Sequence, residues 1–210
     1  LGLISEDGVF TNLGLLLSDQ CMHTTKLPAF QGSSKTVFKD REECSGSLFR
    51  QMEEIYAYID RFNRTRAEFP GLKRVDTRDY PLEAVREAML NAIVHRDYSY
   101  SASTLVSIFD DRIEFVTLGG LPKGIAMSDV MMGVSVPRNR RLSNIFYRLH
   151  LIEAFGTGML KIKECYASCS CQPAVETSEN AFKITLPNVN YEAETTSQKD
   201  PLSEREQRIL

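Results

Sequence analysis

The segment Leu82–His95 constrains this chain more than any other. Asp79-Tyr80-Pro81 announces a helix there: Asp79 is placed to cap it, and Pro81 fits the first helical turn. Projected at 100° per residue, Leu82, Val85, Met89 and Ile93 fall on one side and form a core face. Glu87, Asn91 and His95, spaced i, i+4, i+8, form one line on the opposite side. Ala84 and Ala88 share that side, and Leu90 and Val94 border it. An ordinary surface helix fills its outer face with Lys and Glu. Here three polar groups sit among small and apolar residues, so the pattern predicts a second buried or half-buried face, covered by a ligand or a loop. The same line is compatible with a structural polar stripe in a helix packed on both sides. Arg86 lies inside the apolar arc, where it has to snorkel or find a partner.

A carboxylate one turn from a carboxamide has a specific use. The Asn oxygen is a hard, neutral ligand for Mg²⁺, which keeps most of its waters and takes its other ligands from phosphates. The Glu can accept a proton from a water aimed at a γ-phosphate.

Elsewhere the chain alternates between strand and helix signals. Glu6-Asp7-Gly8 is a turn, and Thr11-Asn12 leads into the apolar run Leu13–Leu17, so residues 1–20 read as a short hairpin and a helix start. Leu27–Gly32 and Thr36–Lys39 read as strands around Gly32-Ser33-Ser34. Leu48, Met52, Ile55, Ile59 and Phe62 predict a helix over 46–66, with Gln51, Glu54, Asp60 and Arg61 on its polar face. Phe69-Pro70-Gly71 breaks the chain. Residues 103–109 and 112–117 alternate as a β-hairpin around Asp110-Asp111. A Gly-, Pro- and Met-rich loop runs from Gly119 to about Pro137. Helices follow at 141–153 and 157–168, and Phe182–Leu186 is a last strand stopped by Pro187. Thr195–Asp200 is a polar linker, and Ser203 with Glu206 makes a capping box for a new helix. The start lacks Met and the end falls inside that helix, so a fragment of a longer protein is expected.

Net charge is -3, so no global basic field points to nucleic acid, and any DNA contact has to be local or lie in flanking sequence. No apolar run reaches the ~18 residues of a membrane span, and Leu1–Ser5 has no basic region of a signal peptide. Cys21, Cys44, Cys165, Cys169 and Cys171 are odd in number and unevenly spaced. They read as thiols of a cytoplasmic protein; zinc on the last three lacks a fourth ligand nearby.

The helix motif Glu87-Ala-Met-Leu-Asn91-Ala92 resembles the N-box of the gyrase, heat-shock chaperone, histidine-kinase and MutL (GHKL) ATPases. Further features keep the family's order. Thr117-Leu118-Gly119-Gly120-Leu121-Pro122 stands where the family has its Asp-x-Gly-x-Gly adenine box, with Thr117 or Leu118 in place of the Asp. Gly156-Thr157-Gly158-Met159-Leu160 is similar to the second glycine box, where bare backbone can approach phosphate at a helix start. Ala181–Pro187 is similar to the closing strand. The resemblance covers roughly residues 30–190. It implies a two-layer α/β sandwich with a mixed, mostly antiparallel sheet and helices on one face. It also implies ATP and Mg²⁺ as cofactors, Glu87 as general base and Asn91 as the metal ligand. Nucleotide contacts would come from Asn91, His95, Thr117, Gly119, Gly120, Arg138, Gly156, Thr157 and Gly158, under a lid spanning Gly120–Gly156. His95 can touch phosphate or close the helix end. Arg138, Arg140 and Arg141 suit phosphate, or form a solvated basic run.

A narrower resemblance rests on Asn91-Ala-Ile-Val-His-Arg-Asp-Tyr98, Phe109-Asp-Asp-Arg-Ile-Glu-Phe115, Gly119-Gly-Leu-Pro122, Pro137-Arg-Asn139 and Ile152-Glu-Ala-Phe-Gly-Thr-Gly158. These look like a bacterial and archaeal group labelled transcriptional regulators or RecG-like helicase-related proteins. That resemblance implies the tail of a Schlafen-like, Alba-type DNA-binding domain over 1–25 and the ATP-binding domain over 26–190. A linker and the start of a winged helix would occupy 191–210. DNA would bind through the flanking domains, and a homodimer is possible. No Gly-x-x-x-x-Gly-Lys-[Ser/Thr] loop occurs, so a P-loop helicase is excluded. The alternative function is a nucleotide-free dimerisation or interaction module that keeps the ATPase fold.

Overall fold

The computed structural model of the chain describes residues 2–153 and 155–191. The polar stretch Thr195–Asp200 and the capping box at Ser203 and Glu206 lie outside these residues.

Helix α1 (Asn12–Leu16) is capped by Thr11, whose Oγ1 accepts from the Gly14 amide, and Leu13 and Leu16 enter the main core. Strand β1 (Thr25–Phe30) pairs antiparallel with β2 (Phe38–Cys44) and parallel with β5 (Thr104–Ile108). Strand β6 (Arg112–Leu118) pairs with β5 and with β8 (Ala181–Pro187), and β7 (Ala174–Thr177) closes the edge. The six-stranded order is β2-β1-β5-β6-β8-β7, mixed and mostly antiparallel as expected.

Period-two patterning explains which face is covered. Leu27, Val106, Phe115 and Ile184 are 0–1% exposed on one face of the sheet. Helices α2 (Leu48–Phe62) and α3 (Leu82–Val94) pack on that face, and α6 (Gly158–Cys165) packs on α3. The result is the expected two-layer α/β sandwich. Two short helices, α4 (Met127–Met131) and α5 (Arg140–Arg148), stand between β6 and α6.

Several local expectations are corrected. The second strand begins at Phe38 and runs to Cys44, later than Thr36–Lys39, because Ser33–Val37 serve as the turn. The helix of 46–66 stops at Phe62, and its continuation forms a separate hairpin of β3 (Thr65–Glu68) with β4 (Val75–Arg78), turning at Phe69-Pro70-Gly71. Gln51, placed on the polar face, is buried: its Nε2 donates to His23 O and Gly46 O, and its Oε1 accepts from Thr25. Asp79 does not cap α3; Pro81 holds that position without a side-chain cap. The Asp79 carboxylate instead accepts from Asn190 Nδ2. The helix of 141–153 ends at Arg148, where His150 takes a positive φ of 55°. Strand β7 and helix α4 had no clear periodic signal in so few residues.

Helix α3 is buried on both sides. Val85, Met89 and Ile93 enter the core, and so do Ala84 and Ala88, each 0% exposed, on the side facing away. The two alanines leave room for α6, which lies against α3. Leu82, expected in the core, is exposed along with Glu83 at the first turn. Among the described residues no helix is long and apolar enough to cross a membrane, and no Cys, His, Asp or Glu cluster could hold a metal ion.

Candidate functional site

A cavity of about 260 Å³ opens between α3, the start of α6 and the segment between β6 and α6. From α3 it receives Glu87, Asn91 and His95. From the loop after β6 come Gly119 and Gly120, from the segment before α5 comes Arg138, and from the start of α6 come Gly156, Thr157 and Gly158. Nine of the ten residues expected at a nucleotide site therefore line one space. Thr117 does not. It is 2% exposed, and its Oγ1 donates to Ala92 O at 2.9 Å, so its hydroxyl ties β6 to α3. The period of the strand explains this: Phe115 and Thr117 both point to the helices.

The two central side chains are held differently. Asn91 Nδ2 donates to Glu87 O one turn back at 2.8 Å, which spends the amide on the helix itself. Its Oδ1 has no hydrogen-bond partner among the described residues. Glu87 is 8% exposed, and its Oε1 accepts from Arg86 Nη1 at 2.7 Å. Arg86 Nη2 in turn donates to Leu151 O at 2.5 Å. This resolves the Arg in the apolar arc: it is only partly buried and bridges the carboxylate to the chain between α5 and α6. Burial pushes the Glu87 carboxyl above its ordinary range, while Arg86 and then Lys161 pull it back. A buried carboxylate with a raised pKa is a stronger proton acceptor than a free one.

Gly158 shows how close α6 approaches. A Cβ there would lie 3.0 Å from Glu87 Oε2 and 3.2 Å from Asn91 Nδ2. Gly156 has φ +68°, and a Cβ would lie 2.1 Å from Gly133 O. Packing therefore requires glycine at 156, and at 158 a side chain would make Glu87 and Asn91 give way. Thr157 Oγ1 donates to Glu153 Oε2 at 3.0 Å, and Lys161, also at the cavity, pairs with Glu153 Oε1 at 2.7 Å.

The lid side is pinned. Gly119 has φ +96°, and a Cβ would meet Asp97 Cβ at 2.9 Å; at Gly120 it would meet Ser178 O at 2.1 Å. Arg138 pairs with Asp97 at 3.1 Å and donates to Gly120 O at 2.8 Å. Hydrogen bonds from the Ser99 hydroxyl and amide hold Asp97 below the usual carboxylate range, and Arg138 adds to this. Asn139 Nδ2 donates to both Val94 O and Arg96 O, at 2.9 and 2.7 Å. One side chain so serves two carbonyls at the end of α3, where helical partners run out. His95 is the C-cap residue, and burial, then Arg138, holds its imidazole below the ordinary value. A neutral imidazole facing the cavity is a hydrogen-bonding group.

Sequence reasoning missed Arg86 as a partner of Glu87, Lys161 as a cavity cation and Asn139 as a cap. Arg86 carried a signal, being a charge on an apolar arc. Lys161 sits one turn after Gly158 on an otherwise unremarkable helix. Asn139 carried none, because its bonds reach 43 and 45 residues back along the chain.

No curated protein sequence matches the chain. A solved structure, the DIP2311 protein from Corynebacterium diphtheriae, superposes with a TM-score of 0.78 at 22% identity. The match covers 90% of this chain and 39% of that one, so the fold is shared and the chain spans well under half of that protein. Residues 102–186 match a family model described as "Putative ATP-dependent DNA helicase recG C-terminal". The wall of the cavity from β5 to β8, with both glycine segments, is therefore similar to an ATPase-like domain family.

Proposed function

We propose that the cavity binds Mg·ATP and that the chain is the nucleotide-responsive part of a DNA-binding transcriptional regulator, hydrolysing ATP slowly. The observation that carries this is the meeting of Glu87 and Asn91 with Gly158, where a Cβ would press on both side chains at 3.0 and 3.2 Å. The residues present suit the group. Asn91 has its amide committed and its carbonyl oxygen available, as a hard metal ligand requires. Gly156–Gly158 offers bare backbone at the start of α6, and Lys161 and Arg138 supply positive charge at the cavity wall.

When bound, Mg²⁺ neutralises phosphate charge and the nucleotide supplies the scissile bond. The chain's own part is narrower. Glu87 accepts a proton at a carboxylate oxygen, for which its raised pKa is appropriate. Arg86 orients that carboxylate through Oε1. Leu121, Pro122 and Ile125 give the cavity an apolar wall.

One observation favours the alternative, a nucleotide-free dimerisation or interaction module. Glu87 and Glu153 are the acids at the cavity, and both already have cationic partners. With Thr117 turned to Ala92, no acid stands ready to read an adenine amino group. Isothermal titration with ATP and Mg²⁺ separates the two. The proposal expects heat, with amide shifts at Asn91 and Gly156–Gly158, and turnover that Glu87→Ala removes while binding persists. A flat titration with unshifted amides rejects the nucleotide site.

A further inference from the structure

Helix α5 buries Leu142, Ile145 and Phe146, and Phe146 stacks on Phe49 at 5.6 Å. Its other side is exposed and carries Arg140, Arg141, Asn144, Tyr147 and Arg148. At 100° per residue these five fall within an arc of about 120°. From Val130 to Ile152 the chain has Arg138, Arg140, Arg141 and Arg148 and no Asp or Glu, within a protein of net charge -3. Most arginines elsewhere lie beside carboxylates, as in Arg50–Glu54, Arg61–Glu42 and Arg112–Asp111. Among the described residues Arg140, Arg141 and Arg148 form no ion pair. A shallow depression lined by Arg141, Asn144, Ile145, Tyr147 and Arg148 runs along the face.

We infer that this face of α5 is a docking surface for the phosphate backbone of duplex DNA. Three like charges on nine residues repel one another, and the repulsion is relieved by a polyanion that releases its counterions. Guanidinium groups match phosphate oxygens in paired hydrogen bonds, and Asn144 and Tyr147 add neutral donors between them. Arg141 and Arg148 are seven residues apart, roughly 10 Å along a helix. Successive phosphates of one strand advance ~3.4 Å along a duplex, so this span corresponds to about three phosphates. Arginines fixed on a rigid helix suit a rigid ladder of charges. Contacts to phosphate carry no base information, so binding by this face is independent of base sequence. The contact belongs to this chain itself, in addition to any made by flanking segments, and it does not depend on whether the cavity takes nucleotide.

The test is fluorescence anisotropy of a labelled 20-base-pair duplex with the full 210-residue chain over a range of salt. Three contacts give a log–log salt slope near -2.7, so a fourfold rise in salt weakens binding about 40-fold. The triple variant Arg140→Gln/Arg141→Gln/Arg148→Gln loses most of the binding and flattens the slope, with unchanged circular dichroism. Arg50→Gln/Arg61→Gln, removing two paired arginines, leaves both intact. If the triple variant does not fold, Arg148→Gln alone lowers the slope by about 0.9. Absence of salt-dependent DNA binding overturns the inference. So does equal binding by the variants, or tighter binding of duplex RNA or of poly-glutamate than of DNA.

Discussion

Removing the cation from Glu87 tests the site without any ligand. Arg86→Met keeps the apolar stem and deletes the charge that bridges Glu87 Oε1 and Leu151 O. Breaking a fully buried pair costs about 3–5 kcal/mol, and an exposed pair contributes about 0.2–1. Here the Glu87 side chain is 11% exposed and that of Arg86 40%, which places the coupling at about 1–2 kcal/mol at neutral pH. The lost bond to Leu151 O adds to the single variant's cost but cancels in a double-mutant cycle with Glu87→Gln. Urea unfolding of the four proteins measures the cycle. The sign of its pH dependence follows from burial, which raises the Glu87 carboxyl while Arg86 lowers it. Without Arg86 the folded pKa rises further. A raised carboxyl contributes stability that is fully present below the unfolded value, near 4.3, and lost as pH rises through the folded one. The ion-pair part of the Arg86→Met deficit is therefore small near pH 4 and grows toward neutrality, while the part from the lost Leu151 bond stays constant. A coupling under about 0.3 kcal/mol at pH 7 refutes the reading of Arg86 as the counter-charge of Glu87.

Gly120→Ala would drive a Cβ to 2.1 Å from Ser178 O and 2.6 Å from Glu179 O, both backbone atoms. It is expected to cost about 2 kcal/mol and lower the melting temperature by about 4–8 °C, read by calorimetry. Asn139→Ala leaves Val94 O and Arg96 O without their donor and is expected to destabilise by about 1–3 kcal/mol. Hydrogen exchange then quickens in the first turn of α5, whereas unchanged exchange argues against this role of Asn139. His95, held below its ordinary value, contributes stability present above about pH 6.5 and lost as pH falls through the folded value. Imidazole NMR should show a depressed titration, and His95→Gln should remove that part of the pH dependence of unfolding.

The helix carrying Glu87, Asn91 and His95 was legible because its two faces are each periodic. Both faces are buried, so the pattern repeated without interruption. The glycines at 156 and 158 were also legible, since a missing side chain in a regular context signals a close approach. What could not be read were contacts made across the fold. Thr117 looked like a base contact in sequence, but its strand parity aims it at Ala92. Gln51 looked like a surface residue until strand β1 brought Thr25 beside it. Short strands such as β7, with four residues, carry too little periodicity to be found. Their pairing depends on a partner already in place.

The pinning of Arg138 and Asn139 has a consequence for how the cavity's cover can move. A lid from Gly120 to Gly156 held only at its ends would be one long flexible loop. Tethering it at Asn139 to the end of α3, and at Leu151 to Arg86, cuts it into shorter pieces. In polymer terms each halving of a loop lowers the entropy lost on closing it by about 0.6 kcal/mol. The span before α5 thus costs less to hold in place than the whole Gly120–Gly156 segment would, with α5 as a post between its parts.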